Sequence, residues 1–325
     1  MRRRIRGSRF SSALFIALCA GALASCGSKV SERSRAPQPS SPASEPPKQE
    51  GPPALVDAAE CKLGVQLYSF RNELERDLPG TLARIKELGI HCIEPYSLHG
   101  RTPEDLRAEF DRAGLRVVSF HLPRDLFVGP PEKAVEVGRI LGAEQIGVAW
   151  LKESARDAVD EAKLMTAATR LNAMCDAAQA ANMYVFYHTH GYEFHEGDPQ
   201  GKLFDRFMNA LIPSCVALQL DAYWVAYAAQ DPIKILRRYA DRTLSLHVKD
   251  MPRSMRVAPF DGSKWPGPLP DDAFAIVGTG MLEWAELIKV AKSSAVAWYI
   301  IEDETSRPWD NIKASLPFLR EQGIK

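Results

Sequence analysis

Four short apolar runs in the second half of the sequence end in side chains that can bind a metal ion or move a proton. Their sequences are YVFYHTH, VALQLD, LSLHVKD and WYIIEDE. Because strand side chains alternate between the two faces of a sheet, the polar residues of each run share one face. The intervening residues are apolar, as in parallel strands that are covered by helices. The runs therefore predict a polar site at the carboxyl ends of neighbouring parallel strands.

Several of the seven histidines lie at the carboxyl ends of predicted strands, where carboxylate and amine side chains join them. The whole set comprises His121, His188, His190, His247, Glu94, Asp221, Lys249 and Glu302. One histidine in a strand is usually structural, whereas several that converge with carboxylates indicate a functional site. No cysteine takes part, so the pattern differs from that of a closed structural zinc site. Imidazole and carboxylate groups together suit Mn²⁺, Zn²⁺, Co²⁺ or Fe²⁺ better than Ca²⁺.

Strand-like and helix-like segments alternate along the chain from residue 62 onward, and we count eight such pairs. Gly89, Gly114 and Gly142 each follow an amphipathic segment, which is the usual position for the end of a helix. Eight units over roughly 265 residues match a (β/α)₈ TIM barrel, an α/β fold, in number and length. A doubly wound open sheet is the alternative, but no glycine-rich phosphate turn follows the first predicted strand.

The longest connection in the predicted barrel runs from residue 251 to residue 281, after the seventh strand. Connections of this length within a compact domain are usually functional, so we expect this one to cover the mouth of the site. Some aromatic side chains are candidates for a floor beneath a sugar ring, although aromatic residues also pack barrels. They are Tyr68, Trp150, Trp224 and Trp265.

The amino-terminal segment has the features of an export signal. Residues 1–25 combine five arginines, no acidic residue and an apolar core too short for a comfortable membrane span. The letters LASC resemble a bacterial lipoprotein signal, which implies cleavage before Cys26 and a lipid attached to it. Residues 26–59 are rich in proline, serine and charge, which predicts a flexible tether. We therefore expect a catalytic barrel domain over residues 60–325, exported to the bacterial outer membrane or periplasm and touching the membrane only through its lipid.

The charge balance points to a small-molecule partner. Five of the 41 basic residues lie in the predicted signal, so 36 remain against 41 acidic residues. A slightly acidic chain without a basic tract is a poor match for nucleic acid. We therefore expect a carbohydrate as the partner and no nucleic acid.

The cysteines of the predicted barrel are Cys61, Cys92, Cys175 and Cys215. An oxidising compartment would permit disulfides, but these cysteines form no close pair and no C-x-x-C motif. We therefore expect small buried apolar residues rather than bridges.

The sequence resembles the sugar phosphate isomerase/epimerase family, the xylose isomerase-like TIM barrels. The resemblance extends from Leu63 to about Leu319 and rests on LGVQLYSFRNEL, YHTHGYEF, LDAYWV, HVKDM, VGTGMLEW and YIIEDE. The most specific feature is HVKDM placed after LDAYWV. The family also includes inosose dehydratases, ketose 3-epimerases and endonuclease IV, so the resemblance implies a barrel enzyme.

In such proteins one divalent metal is held by one ligand from each of the fifth to eighth strands. Carried over by position, the resemblance implies His188, Asp221, His247 and Glu302 as ligands. We expect Mn²⁺ first, with Zn²⁺, Co²⁺, Fe²⁺ or Mg²⁺ as alternatives. Ketose epimerases carry a glutamate where this sequence has His188, and two metal-bound glutamates move the proton in those enzymes. The histidine is more similar to the inosose-dehydratase and oxidised-sugar branches.

A metal that chelates a carbonyl and a neighbouring hydroxyl would stabilise the enediolate formed when the adjacent carbon loses its proton. The candidates for the catalytic base are Glu302, Lys249 and Glu193. Lys249 could instead form a salt bridge, and Glu193 could instead orient a histidine. The residues expected to bind substrate or carry protons are Glu94, His121, His190, Trp224 and Tyr68.

These residues predict a divalent-metal-dependent isomerase or epimerase, or a dehydratase or lyase, that acts on a sugar, keto-sugar or cyclitol. A lyase or hydrolase for 3-keto-glycosides is a variant of this prediction. The alternative from another class is a non-catalytic sugar-binding surface lipoprotein, which the tether favours. DNA repair, as in the endonuclease IV branch, would need a basic groove that an exported, slightly acidic chain does not provide.

Overall fold

The computed structural model describes residues 61–151, 159–194, 202–257 and 269–325. Within them, nine β-strands form one sheet in which all paired strands are parallel. The strands are β1 (Leu63–Gln66), β2 (Cys92–Glu94), β3 (Arg116–Val117), β4 (Ser119–His121), β5 (Gln145–Val148), β6 (Tyr184–His188), β7 (Val216–Asp221), β8 (Thr243–Val248) and β9 (Trp298–Ile301). Their order in the sheet is β3-β2-β1-β9-β8-β7-β6-β5-β4.

The sheet closes into a barrel through the third predicted strand. Two short strands, β3 and β4, replace that strand and are separated only by Val118. The first pairs with β2 and the second pairs with β5, so the two ends of the sheet belong to one continuous stretch of chain. The eight predicted strands therefore correspond to eight positions around a ring, and the (β/α)₈ prediction is confirmed.

Helices cover the outside of the barrel, as the alternation of segments predicts. The α-helices within the described ranges are α1 (Arg71–Arg76), α2 (Leu78–Glu87), α3 (Pro103–Ala113), α4 (Arg124–Val128), α5 (Pro131–Leu141), α6 (Glu161–Ala173), α7 (Cys175–Ala180), α8 (Lys202–Ala210), α9 (Ala222–Tyr227), α10 (Pro232–Arg238), α11 (Trp284–Ala291) and α12 (Pro308–Glu321). Among these described helices, none is long and apolar enough to span a lipid bilayer.

Local sequence explains where α3 begins and ends. The Thr102 hydroxyl accepts a hydrogen bond from the Asp105 amide at 3.1 Å, and Pro103 occupies the first helical position, where no amide hydrogen is needed. Gly114 ends the helix with a φ of 64°, a left-handed conformation that glycine adopts without steric cost. Both signals were visible in the sequence.

The apolar core has two parts that follow the alternation of strand side chains. Outward-facing residues such as Val65, Val185 and Leu246 pack against the helices in one large cluster. Inside the barrel, smaller clusters gather around Trp298 and around Phe186. The apolar interior is therefore confined to the amino-terminal part of the barrel, and polar side chains fill the carboxyl-terminal part.

The prediction of unbridged cysteines was wrong. Cys61 is joined to Cys92 across a sequence separation of 31 residues, and Cys175 is joined to Cys215 across 40 residues. Cys61 precedes β1 and Cys92 begins β2, which is the neighbour of β1 in the sheet. Cys61 and Cys92 are therefore close because of strand order, which spacing along the chain does not reveal.

The long connection after β8 reaches the barrel mouth in its described part. The Tyr223 hydroxyl donates a hydrogen bond to the Ala273 carbonyl at 2.9 Å, and Phe274 stacks on the Tyr223 ring. Phe274 also lines a small cavity together with Lys249 and Glu302. Residues 258–268, including Trp265, lie outside the described residues, as do the predicted signal, Cys26 and the tether.

Candidate active site

The four residues expected to bind a metal lie at the ends of four neighbouring strands. His188 ends β6 and Asp221 ends β7, while His247 lies near the end of β8 and Glu302 directly follows β9. Asp221 is paired in register with His247, so their side chains leave adjacent strands at the same height. The barrel thus brings together side chains that are up to 114 residues apart in sequence.

The donor atoms of these residues converge on one small volume. Asp221 Oδ2 lies 3.7 Å from His188 Nε2 and 3.8 Å from His247 Nδ1. His247 Nδ1 lies 2.9 Å from Glu302 Oε2. Asp221, His247 and Glu302 each offer one ligand atom within 4.8 Å of the others, which is the spacing needed to share one cation.

Two further observations show that this donor set fits a divalent cation. Asp221 Oδ1 accepts a hydrogen bond from the Trp224 amide at 3.0 Å, which fixes the carboxylate and turns Oδ2 towards the imidazoles. Asp221 Oδ2 is buried and has no hydrogen-bond partner among the described residues, although the Lys249 ammonium and two imidazoles lie within ion-pair distance of it. Burial, and then the positive charge of neighbouring groups, holds the pKa of His188 well below its usual range, so its imidazole is neutral and can donate a lone pair.

Lys249 supplies the positive charge that balances the carboxylates. Its ammonium lies 3.0 Å from Asp221 Oδ2, 2.8 Å from Glu302 Oε2 and 2.8 Å from Glu304 Oε1. Burial opposes the charged form, but the three carboxylates outweigh it and raise the pKa of Lys249 well above its usual range. The lysine is therefore a cation at neutral pH, and the salt bridge considered for it is present.

Glu94 is fully buried beneath the proposed ligands and contacts two histidines. Glu94 Oε1 lies 2.6 Å from His247 Nε2 and 2.9 Å from His121 Nε2. Burial opposes its ionisation, but these imidazoles hold the pKa of Glu94 well below its usual range. In turn, although burial opposes the charged imidazole, Glu94 and Glu302 raise the pKa of His247 to about 9. Glu94 and His121 thus lie behind the proposed metal ligands rather than at the mouth.

Polar residues that were given no role from the sequence complete this layer. Gln66 Nε2 donates to Glu94 Oε1 at 2.7 Å, Ser119 Oγ donates to Glu94 Oε2, and Gln219 Nε2 donates to Glu94 Oε2 at 2.6 Å. The one signal in the sequence for Gln219 was its position two residues before the proposed ligand Asp221 on the same strand. Glu304, which contacts Lys249, had a similar signal because it lies two residues after the proposed ligand Glu302.

Glu193 lies apart from this cluster. Its carboxylate accepts hydrogen bonds from the Tyr187 hydroxyl at 2.5 Å and from the His190 amide at 3.1 Å. Burial, opposed by these hydrogen bonds, raises the pKa of Glu193 to about 7. The contacts match the alternative role considered for this residue, which is to hold the segment that carries His190.

The predicted substrate-binding aromatics lie on two sides of the mouth. His190 stacks on Trp224 with 6.0 Å between ring centroids, and the Trp150 ring meets His190 edge-on at 5.3 Å. Tyr68 follows β1, is 39% exposed and meets Tyr96 edge-on at 5.1 Å. A ligand above the proposed metal ligands would therefore pass between aromatic surfaces.

Fold and site together define a parallel α/β barrel with a candidate cation site at the carboxyl ends of its strands. Residues 82–322 match the family described as the xylose isomerase-like TIM barrel. This match covers well over half of the sequence, so the chain belongs to that family.

Individual relatives are distant. Inosose dehydratase from Lacticaseibacillus casei is 27% identical over 139 residues, or 42% of this chain and 46% of that protein. The chain thus spans about half the length of the curated relatives it matches. A sugar phosphate isomerase/epimerase from Parabacteroides distasonis gives a TM-score of 0.64 at 23% identity, covering 84% of this chain and 98% of that one. The IolI protein with a bound zinc atom gives a TM-score of 0.56 at 14% identity, covering 80% of this chain and 97% of that one. The two structural similarities establish the fold alone.

Proposed function

We propose that this protein is a divalent-metal-dependent enzyme that acts on a sugar, keto-sugar or cyclitol beside a carbonyl group. The observation that carries the proposal is the convergence of His188, Asp221, His247 and Glu302 at the ends of four neighbouring strands. Membership of a barrel family whose relatives include inosose dehydratase supports the substrate class. The reaction is an isomerisation, an epimerisation or an elimination.

When bound by these residues, the metal would polarise the substrate carbonyl and lower the cost of removing a proton from the adjacent carbon. Lys249 is a buried cation beside Glu302, so its positive charge can stabilise negative charge that develops on a nearby substrate oxygen. Glu304 is the most exposed carboxylate in contact with Lys249, with 22% of its side chain accessible against 7% for Glu302. We therefore assign proton removal to Glu304, with Glu302 serving as a ligand.

The closed layer around the site excludes water from three of the proposed metal ligands and from Lys249. His188, Asp221, His247 and Lys249 are all at most 2% exposed. In such surroundings a fixed charge acts more strongly than in water, because little solvent screens it. The site can therefore stabilise developing charge without rearranging.

The proposal is tested by proton exchange in D₂O. Metal-loaded protein is incubated with a panel of keto-sugars and inososes, and NMR follows loss of the signal from the hydrogen on the carbon beside the carbonyl. We expect exchange with at least one compound, and at least about a hundredfold slower exchange for Glu304→Gln, the range typical of a lost catalytic base. Binding of a sugar without exchange across the panel would favour the non-catalytic binding protein instead.

A further inference from the structure

Gln219 is a fully buried glutamine at the centre of the polar layer. It lies on β7 two residues before Asp221, and its amide contacts three side chains from other strands. Gln219 Oε1 lies 2.7 Å from His188 Nδ1 and 2.7 Å from His121 Nε2. Gln219 Nε2 lies 2.6 Å from Glu94 Oε2. One amide thus links a carboxylate to two imidazoles.

The contact with Glu94 fixes which way the amide points. Glu94 also accepts hydrogen bonds from Gln66 Nε2 and Ser119 Oγ, so its carboxylate is surrounded by donors. The amide nitrogen of Gln219 must therefore face Glu94, and the carbonyl oxygen must face the imidazoles. The reverse orientation would place two acceptor oxygens 2.6 Å apart and leave both imidazoles opposite an NH₂ group. Since the carbonyl oxygen only accepts, His188 must carry its hydrogen on Nδ1.

This assignment leaves the lone pair of His188 on Nε2, the nitrogen that faces Asp221 Oδ2 at 3.7 Å. We propose that Gln219, itself held by Glu94, is a positioning residue that fixes the His188 ring and makes Nε2 its metal-binding nitrogen. The inference rests on the proposed metal site. A hydrogen bond to the remaining nitrogen of a metal-binding histidine sets both ring orientation and affinity in metal sites generally.

Glu94 performs the same task directly for the second imidazole. His247 Nε2 lies 2.6 Å from Glu94 Oε1, so His247 Nδ1 is the nitrogen that faces Asp221 and Glu302. One buried carboxylate therefore orients both histidine ligands, one directly and one through Gln219.

The same hydrogen bonds give His121 a different role from the two proposed ligands, His188 and His247. The ligand atoms of His121, His188 and His247 lie close enough to hold an ion by distance alone. However, His121 Nε2 faces the Gln219 carbonyl oxygen and Nδ1 lies 3.3 Å from Gln66 Nε2, which is a donor. Both nitrogens of His121 are thus engaged, so His121 supports the site and does not bind the metal.

The first test compares Zn²⁺ affinity, measured by competition with a chelator on the purified protein, for Gln219→Leu and Gln145→Leu. Gln145 is a matched control because it is equally buried inside the barrel but donates to Ser245 at 3.1 Å and has no hydrogen bond to an imidazole among the described residues. We expect a 10- to 100-fold loss of affinity, as is typical for such supporting residues, for Gln219→Leu. We expect less than about a twofold change for Gln145→Leu.

In the second test the decisive signal comes from the wild-type protein. Histidine ring ¹⁵N–¹H NMR on the wild-type protein reports which nitrogen carries the hydrogen, and His188 is assigned by the signal missing from His188→Asn. We expect His188 to carry its hydrogen on Nδ1; a hydrogen on Nε2 would overturn the inference. Equal affinity of wild type and Gln219→Leu would overturn it while leaving the metal site standing, whereas no Zn²⁺ binding by the wild type would overturn both.

Discussion

At the scale of single residues, the site is a balance between buried charges of opposite sign. Three carboxylates surround the Lys249 ammonium, and the imidazoles of His188 and His247 lie within 4 Å of two of them, Asp221 and Glu302. A charge at such a depth is stable only when it is paired, because burial removes its hydration. The lysine and an added divalent cation can therefore compensate for one another.

Replacing Lys249 with methionine should show directly whether a divalent cation compensates for the lost positive charge. We expect the metal-free variant to lose about 3–5 kcal/mol in free energy of unfolding, because buried carboxylates are left without their partner. Added Zn²⁺ should raise its melting temperature more than that of the wild type, since the ion replaces the missing charge. Thermal and urea denaturation provide the measurements.

The control for that experiment is Lys289→Met, whose side chain is 78% exposed beside Glu286. This exposed pair should contribute less than about 1 kcal/mol. Equal stability of Lys249→Met and the wild type without metal would contradict the charge balance described here.

Glu193 should make stability depend on pH. Its pKa is about 7 in the folded protein, raised by burial above the value of roughly 4.3 expected when unfolded. Between these values the folded state binds the proton more tightly, so the stability contribution falls as pH rises. The free energy of unfolding of Glu193→Gln relative to wild type should therefore increase by about 3 kcal/mol between about pH 4 and about pH 8.

Urea titrations across this interval measure the effect, with Glu321→Gln at an exposed position of α12 as the control. A constant difference between Glu193→Gln and the wild type would show that the Glu193 carboxyl does not titrate as its burial requires. If the free energy of unfolding of Glu321→Gln relative to wild type also increased with pH, the effect would come from charge in general and not from Glu193.

At the scale of the elements, the prediction of a polar site rested on the alternation of strand side chains between the two faces of a sheet. Alternation placed His188, Asp221, His247 and Glu302 on inward faces, and the structure brings their side chains together. Two of the three partners of Gln219, His121 and Glu94, lie 98 and 125 residues away in sequence, on strands whose register no local pattern specifies. The role of Gln219 therefore needed the three-dimensional arrangement.

Two other features could not be predicted from the sequence, because they also depend on how the strands are arranged in three dimensions. The third predicted strand is divided at Val118 because the chain changes there from pairing with β2 to pairing with β5. The strand propensity of the local residues does not indicate this change of partner. The Cys61–Cys92 pair depends on which strands are neighbours in the ring. By contrast, helix ends at Gly114 and Gly142 follow from local conformation and were predicted.

The connection after β8 is held by Asp250. Its carboxylate accepts hydrogen bonds from four amides, those of Met251 at 2.7 Å, Gly278 at 2.9 Å, Gly280 at 3.0 Å and Leu282 at 3.2 Å. Asp250→Ala should cost at least about 3 kcal/mol, because several buried donors lose a charged acceptor. It should also speed proteolysis within residues 251–281.

Limited proteolysis with mass spectrometry measures that effect. Asp272→Ala, which changes an exposed residue of the same connection, is the control and should leave the cleavage rate unchanged. Unchanged cleavage in Asp250→Ala would show that other contacts hold the connection.

At the scale of the whole molecule, two disulfides accompany the features of an export signal. Disulfides persist in oxidising compartments, so Cys61–Cys92 and Cys175–Cys215 support the proposal that the barrel is exported. We propose further that Cys26 carries the lipid. Cys26→Ser should abolish labelling by a fatty-acid analogue and move the protein out of the membrane fraction while metal binding is retained. Membrane association and labelling that persist in Cys26→Ser would contradict this anchor.

The central claim is tested most directly by metal analysis of the purified protein beside two ligand variants and one control. We predict about one transition-metal ion per wild-type chain, and its loss in both His188→Ala and Asp221→Ala, because each removes one donor of a shared site. His91→Ala, which changes an exposed histidine, should keep the ion. Wild-type protein that binds no metal after reconstitution, or ligand variants that bind as much as the wild type, would contradict the claim.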